Sequence, residues 1–271
     1  MRAGVLSVPA GGLLLGLAGV LIFSATLPMT RLAVGDLHPA FIAIGRAAVA
    51  GLFAAGLLMM RRPPRPTRLE WRLLAETALG VVIGFPLFSS IAMRDMPAAH
   101  GAIITGLLPL ATAVAAVLFT RERPSPGFWL CALAGTALVI GHALSEGGAL
   151  GVGNGSMLLA VALGALGYAR GGALSRTLDG VLVICWALVL TLPFTLPLTL
   201  WSLLDGWAFR VEPERVTWSA WAGFAYVSLF SMWIGFFAWY RGLARGGVAR
   251  VGQMQLLQPF FTVLIAAALL G

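Results

Sequence analysis

The sequence predicts an all-α integral membrane protein: a ten-span inverted repeat of five plus five helices, nine of which fall within this chain. Three observations predict it. Of the 271 residues, 59% are hydrophobic and only 10% are charged, whereas a soluble domain carries about 25% charged residues. The apolar runs recur at the roughly 20 residues that a helix needs to cross a hydrocarbon slab about 30 Å thick. Finally, the chain repeats itself. Shifted by 150 positions, Ala98–Arg121 falls on Val248–Gly271, with Pro109 on Pro259, Thr112 on Thr262 and Leu107 on Leu257. An Ala/Leu-rich composition produces a few matches by chance, but a proline and a threonine in register do not follow from composition.

The spans are delimited by their joints. Span 1 covers Ala10–Val34; it is too long for a signal peptide and lacks a small-residue cleavage pattern, so it stays as a crossing. Span 2 covers Pro39–Met60 and ends in RRPPRPTRLEWR, where prolines stop the helix and arginines hold the loop in the cytoplasm. Span 3 is Trp71–Met93, span 4 Pro97–Thr120 and span 5 Phe128–Leu144. The glycine-rich stretch Ser145–Ser156 divides the halves, residues 1–147 from residues 148–271. Span 6 is Met157–Arg176. Span 7, Val181–Leu204, is interrupted by Pro193 and Pro197. Spans 8 and 9 are Thr217–Leu243 and Val248–Leu270.

All the positive charge behind the net +8 is arginine. In a soluble protein that balance suggests nucleic acid; here it reads as topology. With the N-terminus inside, thirteen arginines fall on the inner side and four (Arg31, Arg94, Arg210, Arg215) on the outer, with Arg46 inside span 2. This predicts a multi-pass protein of a bacterial inner membrane with a cytoplasmic N-terminus. Cys131 and Cys185 sit in apolar runs and suggest neither disulfide nor metal site.

Two further repeat signals support duplication. At an offset of 151, Gly84-Phe85 meets Gly235-Phe236 and Arg94 meets Arg245; at 145, Phe23 meets Tyr168 and Arg31 meets Arg176. Five spans per half is an odd number, so the second half enters the membrane upside down relative to the first. Span 5 then lacks a counterpart, and a tenth helix is expected after Gly271.

These residues resemble the drug/metabolite transporter superfamily, specifically the EamA-type permeases. The resemblance runs over nearly the whole chain and is best carried by Ile44-Gly-Arg46, by Ile91–Pro124 and by Phe237–Gly271. It implies two five-helix halves, a proline in the middle of the fourth and ninth spans, and an acidic pair after them, which Arg121-Glu122 fits. It also implies export of small metabolites, often amino acids, through a cavity between the halves. Exporters of threonine and homoserine, of cysteine and of aromatic amino acids belong to the superfamily.

Candidate functional residues follow from polarity at mid-depth. Gln255, Gln258 and Thr262 share one face of span 9, and Thr105 and Thr112 share the matching face of span 4. A glutamine amide in hydrocarbon must find partners, in a wet cavity or on a neighbouring helix. Both readings stay open: Gln255 and Gln258 bind a substrate's amino and carboxyl groups, or they join helices. Pro109 and Pro259 each free a carbonyl four residues back, on Thr105 and Gln255. The aromatic stripe that includes Trp233 and Tyr240 reads first as packing. Its functional version is an apolar wall for a hydrophobic side chain, with Trp239 and Tyr168 as further members. Ser24, Phe85 and Ser89 complete the cavity candidates. Arg46 lies about 12 Å below the outer end of span 2. It is expected to cap broken carbonyls of a neighbouring span rather than hold a substrate carboxylate, since the family pattern has arginine there as a structural element. Glu76 is expected to snorkel to the inner surface. Pro86, Pro109, Pro193 and Pro259 are the expected hinges.

The sequence has no P-loop, no metal-ligating cluster, no hydrolytic triad and no acid in span 1. It therefore predicts a transporter without cofactor or metal and not an enzyme. The partners are a small-molecule substrate, an amino acid, and the lipid bilayer; no nucleic acid or obligate protein partner is expected. The alternatives are a multidrug exporter of cationic compounds in the same fold, and an integral-membrane lipid enzyme.

Overall fold

The computed structural model describes residues 10–120 and 152–270, with 125–127, 129–130, 132–134 and 137 between them. Eight helical stretches among these residues are long and apolar enough to cross a membrane. The expected fifth span lies for the most part outside the described residues, as do Cys131, Arg121-Glu122 and the start of the glycine linker. Among the described residues the only β contact is one isolated antiparallel bridge, Leu37 with Phe209.

The first span is two helices, α1 (Ala10–Ser24) and α2 (Thr26–Asp36), broken at Ala25. The break has a local cause. Pro28 has no N–H to give the Ser24 carbonyl. Next, α3 (Pro39–Arg61) begins with His38 accepting from the Ala40 N–H and Pro39 in the first turn, and ends on Arg62 at a positive φ of 45°. A capping box, Thr67 with Glu70, starts α4 (Arg68–Thr77). The same crossing continues through a π-helical segment, Ala78–Gly84, into α5 (Phe85–Asp95). The fourth span is α6 (Ala98–Thr105) and α7 (Leu108–Thr120), separated by Gly106-Leu107.

In the second half, α8 (Val152–Leu174) starts five residues before Met157. Tertiary contact extends it through the glycines: Gly153 packs on Met96, and Asn154 Oδ1 meets His100 Nε2 at 3.1 Å. The next helix, α9 (Gly180–Leu204), is continuous through Pro193 and Pro197, contrary to the interruption expected there. Thr191, Thr195, Thr199 and Ser202 each donate a hydroxyl to a carbonyl one turn back, at 2.6–3.1 Å, which satisfies these hydroxyls within the helix. The eighth crossing is α10 (Trp218–Tyr226), a π-helical segment (Val227–Ile234) and α11 (Gly235–Gly246). The last is α12 (Val248–Gly252), a 3-10 segment (Gln253–Leu257) and α13 (Gln258–Leu270).

The irregularities repeat. The π-helical segments start at Ala78 and Val227 and end at Gly84 and Ile234, about 150 residues apart. The breaks before Pro109 and Pro259 stand at the same offset.

Packing fixes the directions. Gly12 lies against Gly246, Gly16 against Gly242 and Gly19 against Trp239, so the first and eighth spans are antiparallel. Met96 lies against Gly153, Phe85 against Gly164 and Gly80 against Gly167, so the third and sixth are antiparallel too. Under the duplication the first pair maps onto the second. The two proline spans also cross antiparallel: α6 packs on α13 and α7 on α12. Their breaks meet at the crossing, which is where the two-fold axis of an inverted repeat must pass.

Candidate functional site

Close to this crossing the bundle encloses a cavity of about 20 Å³, room for roughly one water. Its walls are Phe23, Thr26, Leu27, Arg46, Val81, Phe85, Tyr168, Ser231, Phe236 and Gln258. Each comes from an irregular or small-residue part of its span. Thr26 opens α2 just past the break, Val81 and Ser231 sit in the two π segments, and Gln258 opens α13 after the 3-10 turn. Broken helices at mid-membrane expose backbone and polar side chains only where they line a cavity or pack inside protein.

The aromatic wall follows the repeat. Phe23 and Tyr168, equivalent at the 145 offset, lie with ring centroids 6.3 Å apart and planes 20° from parallel. Phe85 and Phe236, equivalent at 151, both line the cavity, and Phe236 packs on Phe23 at 5.0 Å. Trp239 is fully buried behind them, 5.2 Å from Tyr168.

The polar corner does not follow the repeat. Arg46 NH2 donates to Ser231 Oγ at 2.9 Å, and Ser231 Oγ meets Thr26 Oγ1 at 2.8 Å. Arg46 is only 2% exposed, and its Nε and NH1 have no hydrogen-bond partner. It therefore does not cap broken carbonyls, as the sequence suggested; its single anchor is a side-chain hydroxyl. Gln258 presents an unpartnered Oε1, and both amide atoms of Gln255 are unpartnered as well. Gln255 lies beside the Tyr168 hydroxyl, in an alignment short of a hydrogen bond. The carbonyl of Gln255, which Pro259 leaves without an α-helical donor, accepts from the Gln258 N–H through the 3-10 turn.

Of the residues singled out by sequence, Phe85, Tyr168, Gln258 and Arg46 line the cavity, Gln255 and Trp239 flank it, and the rest stand elsewhere. Ser24 donates to Val20 O at 2.7 Å, Ser89 to Pro86 O at 3.3 Å and Thr105 to Ala102 O at 2.8 Å, all within their own helices. Tyr240 is buried and donates to Gly167 O at 3.1 Å, tying α11 to α8. Trp233 packs on Phe53, a half-exposed ring, and on Phe237, away from the cavity. Pro86 directly follows the first π segment, and Pro109 and Pro259 directly follow the two breaks. Glu76 does not simply snorkel: it pairs with Arg72 and Arg170, and Arg170 also lies 4.2 Å from the Phe119 ring. Thr26, Leu27, Val81 and Ser231 were not singled out by sequence. Helical phase was an available signal for Thr26, three residues from the repeat-matched Phe23; Ser231, five residues before Phe236, comes into phase only through the π segment.

An inverted, all-helical membrane bundle with paired broken helices around a hollow is an architecture of membrane transporters. The comparisons make the class specific. The model of the EamA-like transporter family matches residues 10–142 and 152–271, and the chain belongs to that family. It is 50% identical over 256 residues to "Uncharacterized transporter YdeK" of Bacillus subtilis (strain 168), covering 94% of this chain and 87% of that protein. It is 23% identical over 265 residues to "Uncharacterized transporter YyaM" of the same organism, covering 93% and 84%. A solved structure described as "Crystal structure of protein" shares the fold with a TM-score of 0.70 at 18% identity, covering 95% of this chain and 90% of the other.

Proposed function

We propose that this transporter exports small neutral amino acids with hydrophobic or aromatic side chains across a bacterial inner membrane, by alternating access. The observation that carries this reading is the cavity: a repeat-matched aromatic wall beside a single polar corner, at the level where two broken helices cross. The wall suits an apolar side chain; the corner suits the charged end of an amino acid. In this reading the halves, 1–147 and 148–271, rock about the site, with Pro86, Pro109 and Pro259 marking the hinges. Pro193 is a weaker hinge, since its helix is unbroken. The N-terminus and the arginine-rich joint after α3 face the cytoplasm in this reading, by the excess of arginine on that side.

The reading of a cationic drug exporter is disfavoured by Arg46, since a buried guanidinium at the cavity repels a cation. The test is efflux from proteoliposomes loaded separately with labelled phenylalanine, leucine, threonine and lysine. Phenylalanine and leucine should leave faster than from protein-free vesicles, and lysine should not. Efflux of no amino acid above the protein-free rate overturns the proposal.

A further inference from the structure

We infer that Arg46 is the binding group for a substrate carboxylate, with Ser231 and Thr26 as its positioning residues. This assignment deepens the transport reading and rests on it for the site's purpose, though the anion site stands on its own geometry.

Arg46 is the only buried charged side chain among the described residues. Burying a guanidinium is unfavourable unless an opposite charge and hydrogen bonds offset it. No such charge is present. The described acids lie in loops or at span ends, except Glu76, which pairs with Arg72 and Arg170. NH2 gives one hydrogen to Ser231, while Nε and NH1 remain unpartnered. A guanidinium held by one hydrogen of NH2 keeps a two-pronged edge open, which is the geometry a carboxylate takes.

Three features narrow the ligand. Only one cation is present, which balances a monoanion; a phosphate dianion would leave net negative charge in an apolar surround. Apart from the Tyr168 hydroxyl and the unpartnered Gln258 Oε1, which can accept from an ammonium, the remaining walls are Phe23, Leu27, Val81, Phe85 and Phe236, so the rest of the ligand is apolar. The polar corner also breaks the repeat. The positions equivalent to Arg46 at offsets of 145 to 151, residues 191–197, carry no charge, and Leu108 stands opposite Gln258. Duplication accounts for the aromatic wall but not for this corner. In the present geometry the cavity holds about one water, so the walls must part to admit such a ligand.

The purified full chain in detergent is titrated with phenylacetate, with its neutral isostere phenylacetamide, and with phosphate at matched ionic strength, while thermal melting is followed. Phenylacetate should raise the melting temperature of the wild type; the amide and phosphate should not. Equal protection by either control, or none by phenylacetate, overturns the assignment without recourse to any variant. R46Q should bind phenylacetate at least about thirtyfold more weakly, and R46K should recover part of the loss. Without ligand, R46Q should melt no lower than wild type, because it removes a charge whose burial nothing offsets. R46Q that melts well below wild type yet is still protected by phenylacetate makes Arg46 structural and overturns the assignment. Efflux separates the two readings. Protection by phenylacetate without efflux of any amino acid supports the anion site and removes the amino-acid reading; amino-acid efflux unchanged in R46Q does the reverse.

Discussion

Thr112 and Gly252 meet where the two broken spans cross: a Cβ built on Gly252 would stand 3.9 Å from the Thr112 Cβ. The two residues come from opposite halves, Thr112 five residues past Leu107 of the first break and Gly252 five before Leu257 of the second, as an antiparallel crossing requires. A Cβ–Cβ separation near 3.8 Å is that of a disulfide. In a background with Cys131 and Cys185 replaced by alanine, T112C/G252C should therefore cross-link on oxidation, read as a gel shift that dithiothreitol reverses. Efflux should fall on oxidation and return on reduction if the halves move against each other here. A pair that never cross-links would contradict the crossing itself.

Gly80 should tolerate no side chain. A Cβ there would come within 2.5 Å of the Leu163 carbonyl oxygen and 2.6 Å of the Gly167 backbone. Backbone atoms of a packed helix cannot rotate away as a side chain can, so the third and sixth spans would have to separate. G80A should destabilise by about 1–3 kcal/mol, seen as a lower melting temperature in detergent. G56A is the control: nothing lies within 4 Å of its Cβ, and its melting should stay within about 0.5 kcal/mol of wild type.

Much of this architecture was legible in the sequence because the repeat preserves what backbone chemistry requires. Proline removes a donor wherever it stands, so Pro109 and Pro259 marked the breaks. The matches of Phe23 with Tyr168 and of Phe85 with Phe236 marked both aromatic pairs of the cavity. Other features depended on neighbours that sequence does not show. The second π segment has no proline after it to signal it, unlike the first with Pro86. Pro193 and Pro197 read as breakers, yet α9 runs unbroken through both. Tyr240 and Trp233 lie on the same helical stretch as the cavity residue Phe236, but helical phase turns one to Gly167 and the other to Phe53. The cap reading of Arg46 follows from the family pattern, and its actual partner, Ser231, lies 185 residues away, where local sequence does not point.

The two buried tyrosines should separate stability from transport. Tyr240 donates to Gly167 O across the α11–α8 contact, whereas Tyr168 faces the cavity beside Gln255. Y240F should lose about 1 kcal/mol of stability with little change in the concentration dependence of efflux. Y168F keeps the ring stacked on Phe23, so its melting should hold while the KM for phenylalanine efflux rises. Melting curves and efflux kinetics on both variants check this; the opposite pattern would put Tyr240, not Tyr168, at the site.

Asp179 joins the start of α9 to the end of α11, and its contribution should depend on pH. Its Oδ1 accepts from the Val181 N–H at 2.8 Å, an N-cap, and Oδ2 pairs with Arg241 NH2 at 2.8 Å. Partial burial pushes its carboxyl pKa up, but the Arg241 hydrogen bond, the Val181 N–H and the nearby charges of Arg241 and Arg61 outweigh that and hold it below the ordinary carboxylate range. A depressed pKa in the folded state stabilises the fold above the unfolded value, about 3.9, and that contribution disappears as pH falls through the folded value. The pair is more than a third exposed on both sides, so solvent screening keeps its worth small, below about 1 kcal/mol. D179N retains the cap oxygen and loses only the charge, so at pH 7 it should melt slightly below wild type, and the gap should narrow as pH falls below about 3.9 towards the folded value. D179A also loses the cap, worth about 1 kcal/mol, and should melt lower than D179N at every pH. Thermal melts of the three proteins over a series from pH 7 down to pH 2 decide this: a gap between wild type and D179N that does not narrow anywhere in the series would mean the charge is not what Asp179 contributes.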